Sequence, residues 1–314
     1  MTEPAGPLPP FPARPLDGHK GTFGTVVVLG GQAAPPRVMV GGPALAALAA
    51  LRSGAGLAML AVPAPFAAAA LTIAPSATAL ALPVDAAGRL LPSACAEVLD
   101  AHVPKSSCLA LGPGLGDEPA QRQVVIRVVA SDGVPLVVDA DALNCLASTP
   151  DFQADFRAAA IVTPHPGEFA RLAHALRLDA PALDARGGGA EARIAAAGAL
   201  ARRLGCICVL KGHGTVVSDG LRHWVCEAGN PALATAGTGD VLTGVTAALV
   251  AQFAPRSGAA AGSAALGLFD CARLAVQAHA HAADAWARRH GPSGMLASDL
   301  VAELPDTIAA MRGT

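Results

Sequence analysis

Two hydrophobic patterns alternate along the chain. Short runs that are almost entirely apolar, such as TVVVL at 25–29 and LAMLAVP at 57–63, are typical of buried strands. Longer Ala- and Leu-rich segments with a helical repeat, such as the one at 41–56, separate many of these runs. The segments predicted to carry strands are 25–31, 57–63, 108–116, 135–146, 160–172 and 207–220.

This alternation predicts the fold class. Strands that alternate with helices form parallel βαβ units, and strands that are apolar throughout are buried on both faces. We therefore expect an α/β protein with a mostly parallel central sheet and helices on both faces. Only helices are predicted after Gly244, and no long linker or internal repeat divides the chain. The sequence predicts one domain over residues 17–314, preceded by a proline-rich tail at 1–16 that is disordered or lies on the surface.

The composition limits the partners. The 314 residues carry a formal net charge of −2 at pH 7, and 15% of them are charged. Because both signs are interspersed, we expect no surface for nucleic acid. Residues 53–84 hold no charge, but glycines and prolines interrupt this run. We therefore predict buried strands and Ala-rich helices there, and no membrane span.

The N-terminus and the cysteines indicate the compartment. MTEPAGPLPPFPARP contains no apolar signal segment, so we do not expect secretion. The seven cysteines are an odd number and lack the spacing of a zinc site. Small buried thiols in a reducing environment explain them most simply, which predicts a cytoplasmic protein.

Loops rich in glycine, proline or charge follow the predicted strands. In an open parallel sheet such loops meet at the carboxyl edge, where ligands bind. Each loop alone could be purely structural, because glycine and proline punctuate any α/β fold. The loops are Gly30-Gly31, GPGLG at 112–116, DADALN at 139–144, TPHPGE at 163–168, KGHGT at 211–215 and AGTGD at 236–240.

The AGTGD loop opens a predicted helix. Val241, Leu242 and Val245 fall on a helical repeat, which places Gly237–Gly239 at the helix N-terminus. Free backbone N–H groups and the helix dipole make such a terminus suitable for a phosphate, and glycine allows close approach. The alternative is a structural turn in which Asp240 only caps the helix.

Other loops leave more than one interpretation open. KGHGT offers a cation, close backbone approach and a hydroxyl for a nucleotide phosphate, or it is a hairpin turn with an exposed Lys211. Asp139 and Asp141 could bind a metal or cap the next helix, and capping is favoured for Asp141. His165 lies between two prolines that fix its backbone. Neither a Walker motif nor a GxGxxG fingerprint is present.

Taken in order, the motifs resemble those of a known family. HKGTFGTVVVLGG, ALAALAALRSGAGL, LGPGLG, VVDADALN, TPHPGE, LKGHGT, GNPALATAGTGDVLTGVTAALVAQ and MLASDLVAELP follow one another over roughly residues 17–306. The set resembles the ADP/ATP-dependent NAD(P)H-hydrate dehydratases, which are members of the ribokinase-like superfamily. GTGD points only to the superfamily, whereas TPHPGE, GPGLG and the KGxGT turn narrow the resemblance to the dehydratases.

The resemblance implies a repair reaction. Hydrated NADH or NADPH carries a hydroxyl on C6 of the nicotinamide ring. Phosphorylation by ADP or ATP makes this hydroxyl a good leaving group, and elimination of phosphate restores NAD(P)H. We expect ADP as the first candidate donor, with Mg²⁺ on the phosphates and its protein ligands unidentified. Some relatives carry an N-terminal epimerase domain, and we expect this chain to be a stand-alone dehydratase.

The resemblance also implies roles for individual residues. Asp240 would be the base that accepts the proton of the C6 hydroxyl and would contact the substrate. The anion hole would consist of Gly237, Thr238 and Gly239. The nucleotide would contact Lys211, Gly212, His213, Gly214, Thr215 and Gly239. The hydrated cofactor would contact Ala44, Gly114, Gly116 and His165.

Some positions depart from the family pattern, and other functions stay open. Ala236 replaces the glycine that usually precedes GTGD, and a familiar HGxAGD reads HAHAAD at 279–284. A ribokinase-like kinase for a small alcohol, such as a vitamin precursor, would share Asp240 and the anion hole but leave TPHPGE unexplained. A non-catalytic nucleotide-binding module is a third hypothesis. The Ala-rich helices are compatible with a homo-oligomer.

Overall fold

Ten strands form one sheet in the computed structural model, which describes residues 2–183, 188–255 and 265–313. The strands are β1 (Glu3–Pro4), β2 (Thr25–Leu29), β3 (Leu57–Pro63), β4 (Thr78–Leu82), β5 (Cys108–Leu111), β6 (Leu136–Val138), β7 (Ala160–Val162), β8 (Ile207–Leu210), β9 (Val216–Ser218) and β10 (Arg222–Val225). Their order is β1-β10-β9-β8-β7-β6-β5-β2-β3-β4. All neighbours from β4 to β8 pair in parallel, which confirms the predicted mostly parallel sheet.

Helices cover both faces of this sheet, as predicted. They are α1 (Gly41–Arg52), α2 (Ala67–Ile73), α3 (Pro92–His102), α4 (Pro119–Val129), α5 (Asp141–Ala147), α6 (Pro166–Ala175), α7 (Ala190–Leu204), α8 (Thr238–Phe253), α9 (Leu268–His290) and α10 (Ala297–Arg312). Alternate residues of one strand point to opposite faces. Val26 and Val28 accordingly pack with α1, α8, α9 and α10, whereas Val27 and Leu29 pack with α3 to α7.

Helices α1 and α8 approach each other more closely than ordinary side chains allow. A Cβ atom on Gly244 of α8 would lie 2.1 Å from the backbone oxygen of Ala46 in α1. The two helices begin on the same side of the molecule, where Gly42 of α1 lies against Asp240 of α8. This crossing therefore brings two helix N-termini to one place at the carboxyl edge of the sheet.

The N-terminal segment is ordered, which differs from the disordered alternative predicted for 1–16. Strand β1 pairs with β10, and the Ala5 N–H donates to the His223 oxygen at 2.7 Å. Phe11 is only 7% exposed and packs edge-on against Phe253, with 6.1 Å between the ring centres. Prolines kept this segment from being predicted as a strand, but an edge strand tolerates them.

Two other strands were not predicted. Strand β4 reads TALAL and lies at the edge of the sheet, and β10 reads RHWV. Neither has the near-continuous burial that marks the central strands. No helix within the described ranges is long and apolar enough to cross a membrane. All seven cysteines are buried and unpaired.

Candidate active site

The first turn of α8 carries the central acidic side chain. Gly237 precedes this helix in the left-handed conformation with φ of +90°, a region that favours glycine. Asp240 follows in the first turn, and the N-terminus of α1 lies beside it. A Cβ atom on Gly42 would lie 3.2 Å from the Asp240 Oδ2 atom. The absence of a side chain at Gly42 therefore leaves space beside this carboxylate.

The environment of Asp240 favours its protonated form. Burial, together with the charge of Asp139, raises the pKa of Asp240 to about 7, although Lys211 acts in the opposite direction. Within the described part of the chain, no hydrogen bond stabilises the Asp240 carboxylate. A carboxylate with a pKa near neutrality and a free oxygen is suited to accept a proton during a reaction.

The Lys211 side chain is only 18% exposed and forms an ion pair, which excludes the alternative of an exposed hairpin lysine. Its Nζ atom lies 2.5 Å from Asp139 Oδ1 and 3.7 Å from Glu168 Oε2. Burial alone would lower the pKa of Lys211, but the two carboxylates outweigh burial and raise it. The other oxygen of Asp139 accepts a hydrogen bond from the Thr243 hydroxyl at 2.6 Å. Lys211 thus connects the KGHGT loop to α8 through Asp139.

The TPHPGE motif forms a capping box at the start of α6. The Nδ1 atom of His165 accepts hydrogen bonds from the N–H groups of Gly167 and Glu168, at 3.0 and 3.4 Å. Glu168 Oε2 accepts one from the His165 N–H at 2.8 Å. The proton of the neutral imidazole is therefore on Nε2. Burial, and then the charges of Lys211 and Arg171, lower the pKa of His165.

Glu168 is a buried carboxylate that the sequence interpretation did not single out. Its residue is 5% exposed, and burial raises its pKa to about 7 despite the nearby charge of Lys211. The spacing of His165 and Glu168, three residues apart at a predicted helix start, was an available signal for a capping box. The role of His165 in substrate binding remains a prediction, with half of its side chain exposed.

The GPGLG loop lies against two neighbouring segments. Gly114 and Gly116 have φ values of +60° and +82°, and a Cβ atom on Gly116 would lie 2.5 Å from Gln32 Oε1. The Gly116 N–H donates to Asp141 Oδ2 at 2.8 Å. Asp141 therefore holds this loop from the first turn of α5. Asp139 and Asp141 thus interact with different protein groups.

The KGHGT loop and the start of α8 line one cavity of about 590 Å³. This cavity brings the predicted nucleotide-binding residues together with Thr238 and Gly239 of the predicted anion hole. Loop 228–234 and helix α9 complete its wall. The lining residues include Lys211, Gly212, His213, Gly214, Thr215, Thr238, Gly239, Leu242, Val276, His279 and Ala280.

Arg193 of α7 supports the KGHGT loop and was not predicted. This residue is only 3% exposed. Its guanidinium donates to the backbone oxygens of Leu210 and Lys211, at 2.9 and 3.1 Å, and to that of Gly214 at 3.3 Å. An arginine on the Ala- and Leu-rich face of this helix was the available signal, because a buried guanidinium requires acceptors.

One predicted substrate contact, Ala44, and one departure from the family pattern, Ala236, lie outside the cavity lining given above. Ala44 is fully buried in the first turn of α1, and its N–H donates to the Val40 oxygen at 3.3 Å. The structure therefore does not expose Ala44 to a ligand. Ala236, which departs from the family pattern, is exposed, so its methyl group is accommodated without a clash.

Comparisons with known proteins identify the family of this chain. A family model described as NAD(P)H-hydrate dehydratase matches residues 26–306. The bifunctional NAD(P)H-hydrate repair enzyme Nnr of Vibrio cholerae is 37% identical over 298 residues, covering 95% of this chain and 52% of the relative. The enzyme of the same name from Escherichia coli is 34% identical over 296 residues, covering 93% and 49%. The chain thus spans about half the length of these curated relatives.

Solved structures give the same result for the fold and the family. A ribokinase-like superfamily protein from Enterococcus faecalis matches with a TM-score of 0.73 at 24% identity, covering 95% of this chain and 91% of that one, which supports the ribokinase-like fold. The ADP/ATP-dependent NAD(P)H-hydrate dehydratase from Bacillus subtilis, co-crystallised with ATP and Mg²⁺, matches with a TM-score of 0.71. It is 26% identical, and the match covers 96% of this chain and 95% of that chain. On the family match, the relatives and the site geometry together, the chain belongs to the NAD(P)H-hydrate dehydratase family.

Proposed function

We propose that the chain dehydrates hydrated NADH or NADPH back to NAD(P)H, with ADP or ATP as the phosphoryl donor. The observation that carries this proposal is the position of Asp240. Its unpaired carboxylate lies in the first turn of α8, directly after Gly239, which lines the cavity beside the KGHGT loop. A base beside a helix N-terminus that can receive a phosphoryl group is what phosphorylation of an alcohol requires.

In this proposal, the first step phosphorylates the C6 hydroxyl. Asp240 accepts the hydroxyl proton as the oxygen forms a bond to phosphorus and the bond to the leaving nucleotide breaks. The N–H groups of Gly237, Thr238 and Gly239 stabilise charge on the transferring group. In the second step the C6–O bond breaks with loss of phosphate, and loss of a proton from C5 restores the ring double bond.

The described residues fit a Mg²⁺ ion that is bound mainly by the phosphates of the nucleotide. They contain no group of three or more His, Cys, Asp or Glu side chains that could hold a metal ion. Asp139 and Asp141 are engaged by protein donors, whereas the Asp240 carboxylate accepts no hydrogen bond from the described residues. Mg²⁺ commonly binds through substrate phosphates, waters and one or two carboxylates, which is compatible with this donor set. When bound, the metal would neutralise charge on the phosphates.

The cellular compartment is also a proposal, and it depends on the cysteines. Buried, unpaired cysteines throughout the chain are typical of a reducing compartment, so we place the protein in the cytoplasm. Its expected partners are the hydrated cofactor and the nucleotide. We treat residues 17–314 as one catalytic domain, to which the N-terminal strand adds an edge.

Absorbance of the dihydronicotinamide band tests the function. Hydrated NADH is incubated with the chain, Mg²⁺ and either ADP or ATP. We expect the band to return with the wild type, and turnover to fall by about 10²–10⁴-fold in Asp240→Asn, because the proton acceptor is lost. The matched control Asp306→Asn changes an exposed carboxylate on α10 and should behave like the wild type. Phosphorylation of another alcohol without recovery of the band would instead identify a kinase.

A further inference from the structure

Helix α9 carries two polar side chains whose hydrogen bonds end on the loops of the nucleotide cavity. We propose that His279 and Asp284 are positioning residues: His279 orients the anion hole, and Asp284 holds the loop at 228–234 that forms the opposite wall. Both residues belong to HAHAAD, a motif without a role in the chemistry described above. The proposal rests on the proposed function for its kinetic consequences.

His279 acts on the peptide unit between Thr238 and Gly239. Its Nε2 atom lies 2.9 Å from the Thr238 backbone oxygen, and the residue is only 9% exposed. Because a carbonyl can only accept, Nε2 must carry the proton. A peptide unit is planar, so fixing the Thr238 C=O also fixes the direction of the Gly239 N–H. That N–H is one of the donors of the proposed anion hole.

The hydroxyl of Thr238 anchors the same turn from another direction. Its Oγ1 atom lies 2.9 Å from the backbone oxygens of both Leu233 and Thr235, which share its single proton. The start of α8 is thus held to loop 228–234 and to α9 at once. Burial lowers the pKa of His279 to about 4, so the ring stays neutral and donates a single proton near neutral pH.

Asp284 holds the loop through both of its carboxylate oxygens. Oδ2 accepts from the Gly229 N–H at 3.0 Å, and Oδ1 accepts from Asn230 Nδ2 at 2.8 Å. Asn230 in turn accepts from the Ala232 N–H at 2.9 Å. Gly229 has a φ of +107°, which favours glycine. The carboxylate therefore fixes a turn that the backbone alone does not specify.

The two contacts predict different kinetic defects. Asp284 supports a wall of the cavity without contacting the anion hole, so its loss should weaken nucleotide binding. His279 sets the direction of a donor to the transferring phosphoryl group, so its loss should lower turnover. A purely structural role for either residue would lower stability without separating these two quantities.

The test compares matched variants by calorimetric ADP binding and by steady-state kinetics. We expect Asp284→Asn to weaken ADP binding by about 10-fold, while kcat changes by less than about 3-fold. The reason is that an amide has one acceptor oxygen, whereas Gly229 N–H and Asn230 Nδ2 each donate to a separate carboxylate oxygen. We expect His279→Leu to lower kcat by about 10- to 100-fold with ADP affinity within about 3-fold. His279→Gln, whose amide can donate to the same carbonyl, should recover most of kcat. Asp306→Asn serves as the control.

A readout that does not need turnover separates this proposal from the proposed function. The amide resonance of Gly239 should move in His279→Leu and return towards its original position in His279→Gln. If the wild type does not restore NADH, the proposed function fails, and ADP affinity and the Gly239 resonance decide the positioning roles. Unchanged ADP affinity in Asp284→Asn, or an unchanged Gly239 resonance and kcat in His279→Leu, would overturn the corresponding assignment.

Discussion

At the scale of single residues, the site combines a free carboxylate with a lysine that is already paired. Burial raises the pKa of Asp240 to about 7, so both its acid and base forms are populated at neutral pH, and no hydrogen bond in the described structure lowers that pKa. Lys211 is close enough to influence Asp240, but its ammonium forms its short contact with Asp139. The arrangement leaves Asp240 able to exchange a proton near neutral pH, which suits a general base.

The pH dependence of turnover should report on Asp240. Because the pKa of its carboxyl is about 7, its base form is lost as the pH falls below that value. We expect kcat/KM for hydrated NADH to decrease by about 10-fold per pH unit well below pH 7. The pKa of Glu168 is also about 7, so Glu168→Gln is the control and should retain the acidic limb. If the acidic limb disappears in Glu168→Gln, the titrating carboxylate is Glu168 and the assignment to Asp240 is wrong.

Removal of the Lys211 charge should destabilise the fold through Asp139. In Lys211→Met the buried Asp139 carboxylate loses its partner, which should lower the free energy of unfolding by about 3–5 kcal/mol. The double variant Asp139→Asn/Lys211→Met removes both charges and should regain a large part of that loss. Urea unfolding at pH 7 measures these values, with the exposed Lys105→Met as the control. Equal losses in the single and double variants would show that the ion pair is not the cause.

At the scale of secondary structure, the candidate site lies where several helices begin. Helices α1 and α8 begin on either side of the Asp240 carboxylate, and α5 and α6 begin with the side chains of Asp141 and His165. Each start follows a loop at the carboxyl edge of the sheet, as expected for parallel strands. The close crossing of α1 and α8 at Gly244 fixes the positions of these two helices relative to each other.

Substitution of Gly244 tests this crossing. In an exposed helix, glycine to alanine would stabilise by up to about 1 kcal/mol. Here the new Cβ atom would lie 2.1 Å from the Ala46 oxygen, so α1 must move. We expect Gly244→Ala to lower the free energy of unfolding by about 1–3 kcal/mol and to reduce turnover as the N-terminus of α1 shifts.

Gly41 provides the matched control for that substitution. It lies in α1, and a Cβ atom added there meets no atom within 4 Å. Thermal unfolding of Gly41→Ala should therefore stay close to that of the wild type. A stabilised Gly244→Ala protein would contradict the close contact between the two helices.

At the scale of the whole molecule, the N-terminal segment closes one side of the fold. Strand β1 extends the sheet beyond β10, and Phe11 packs against Phe253 at the end of α8. The Arg312 guanidinium of the last helix lies 4.9 Å from the centre of the Phe11 ring. One residue near the start of the chain thus contacts the end of α8 and the final helix.

Substitutions in this segment test whether the buried Phe11 side chain contributes to the stability of the fold. Phe11→Ala should lower the free energy of unfolding by about 3–5 kcal/mol, because it leaves a cavity beside Phe253. Leu16→Ala, at a fully exposed side chain, should change it by less than about 0.5 kcal/mol. Denaturant unfolding of both variants measures the difference. Equal, small effects would show that the segment contributes little to stability.

Local signals were sufficient to predict the central strands and the loops that follow them. Apolar runs such as 57–63 and 108–111 predict buried strands because burial on both faces leaves no polar alternation. The glycines around Thr238 predict a helix start that can bind an anion because few other residues adopt that backbone. Strand β4 at one edge of the sheet, and β10 beside the short edge strand β1, carry weaker signals, since their side chains are less completely buried than those of the central strands.

The sequence by itself determined the α/β class, the loops of the site and the family resemblance, because each depends on residues close together in the chain. Only the tertiary structure decided the partners of Lys211, the contact of Gly42 with Asp240 and the hydrogen bonds of His279 and Asp284. Those contacts join residues far apart in sequence, and they arise where helices cross and strands end. Pairing across such distances depends on packing geometry, which no local pattern of hydrophobic and polar residues specifies.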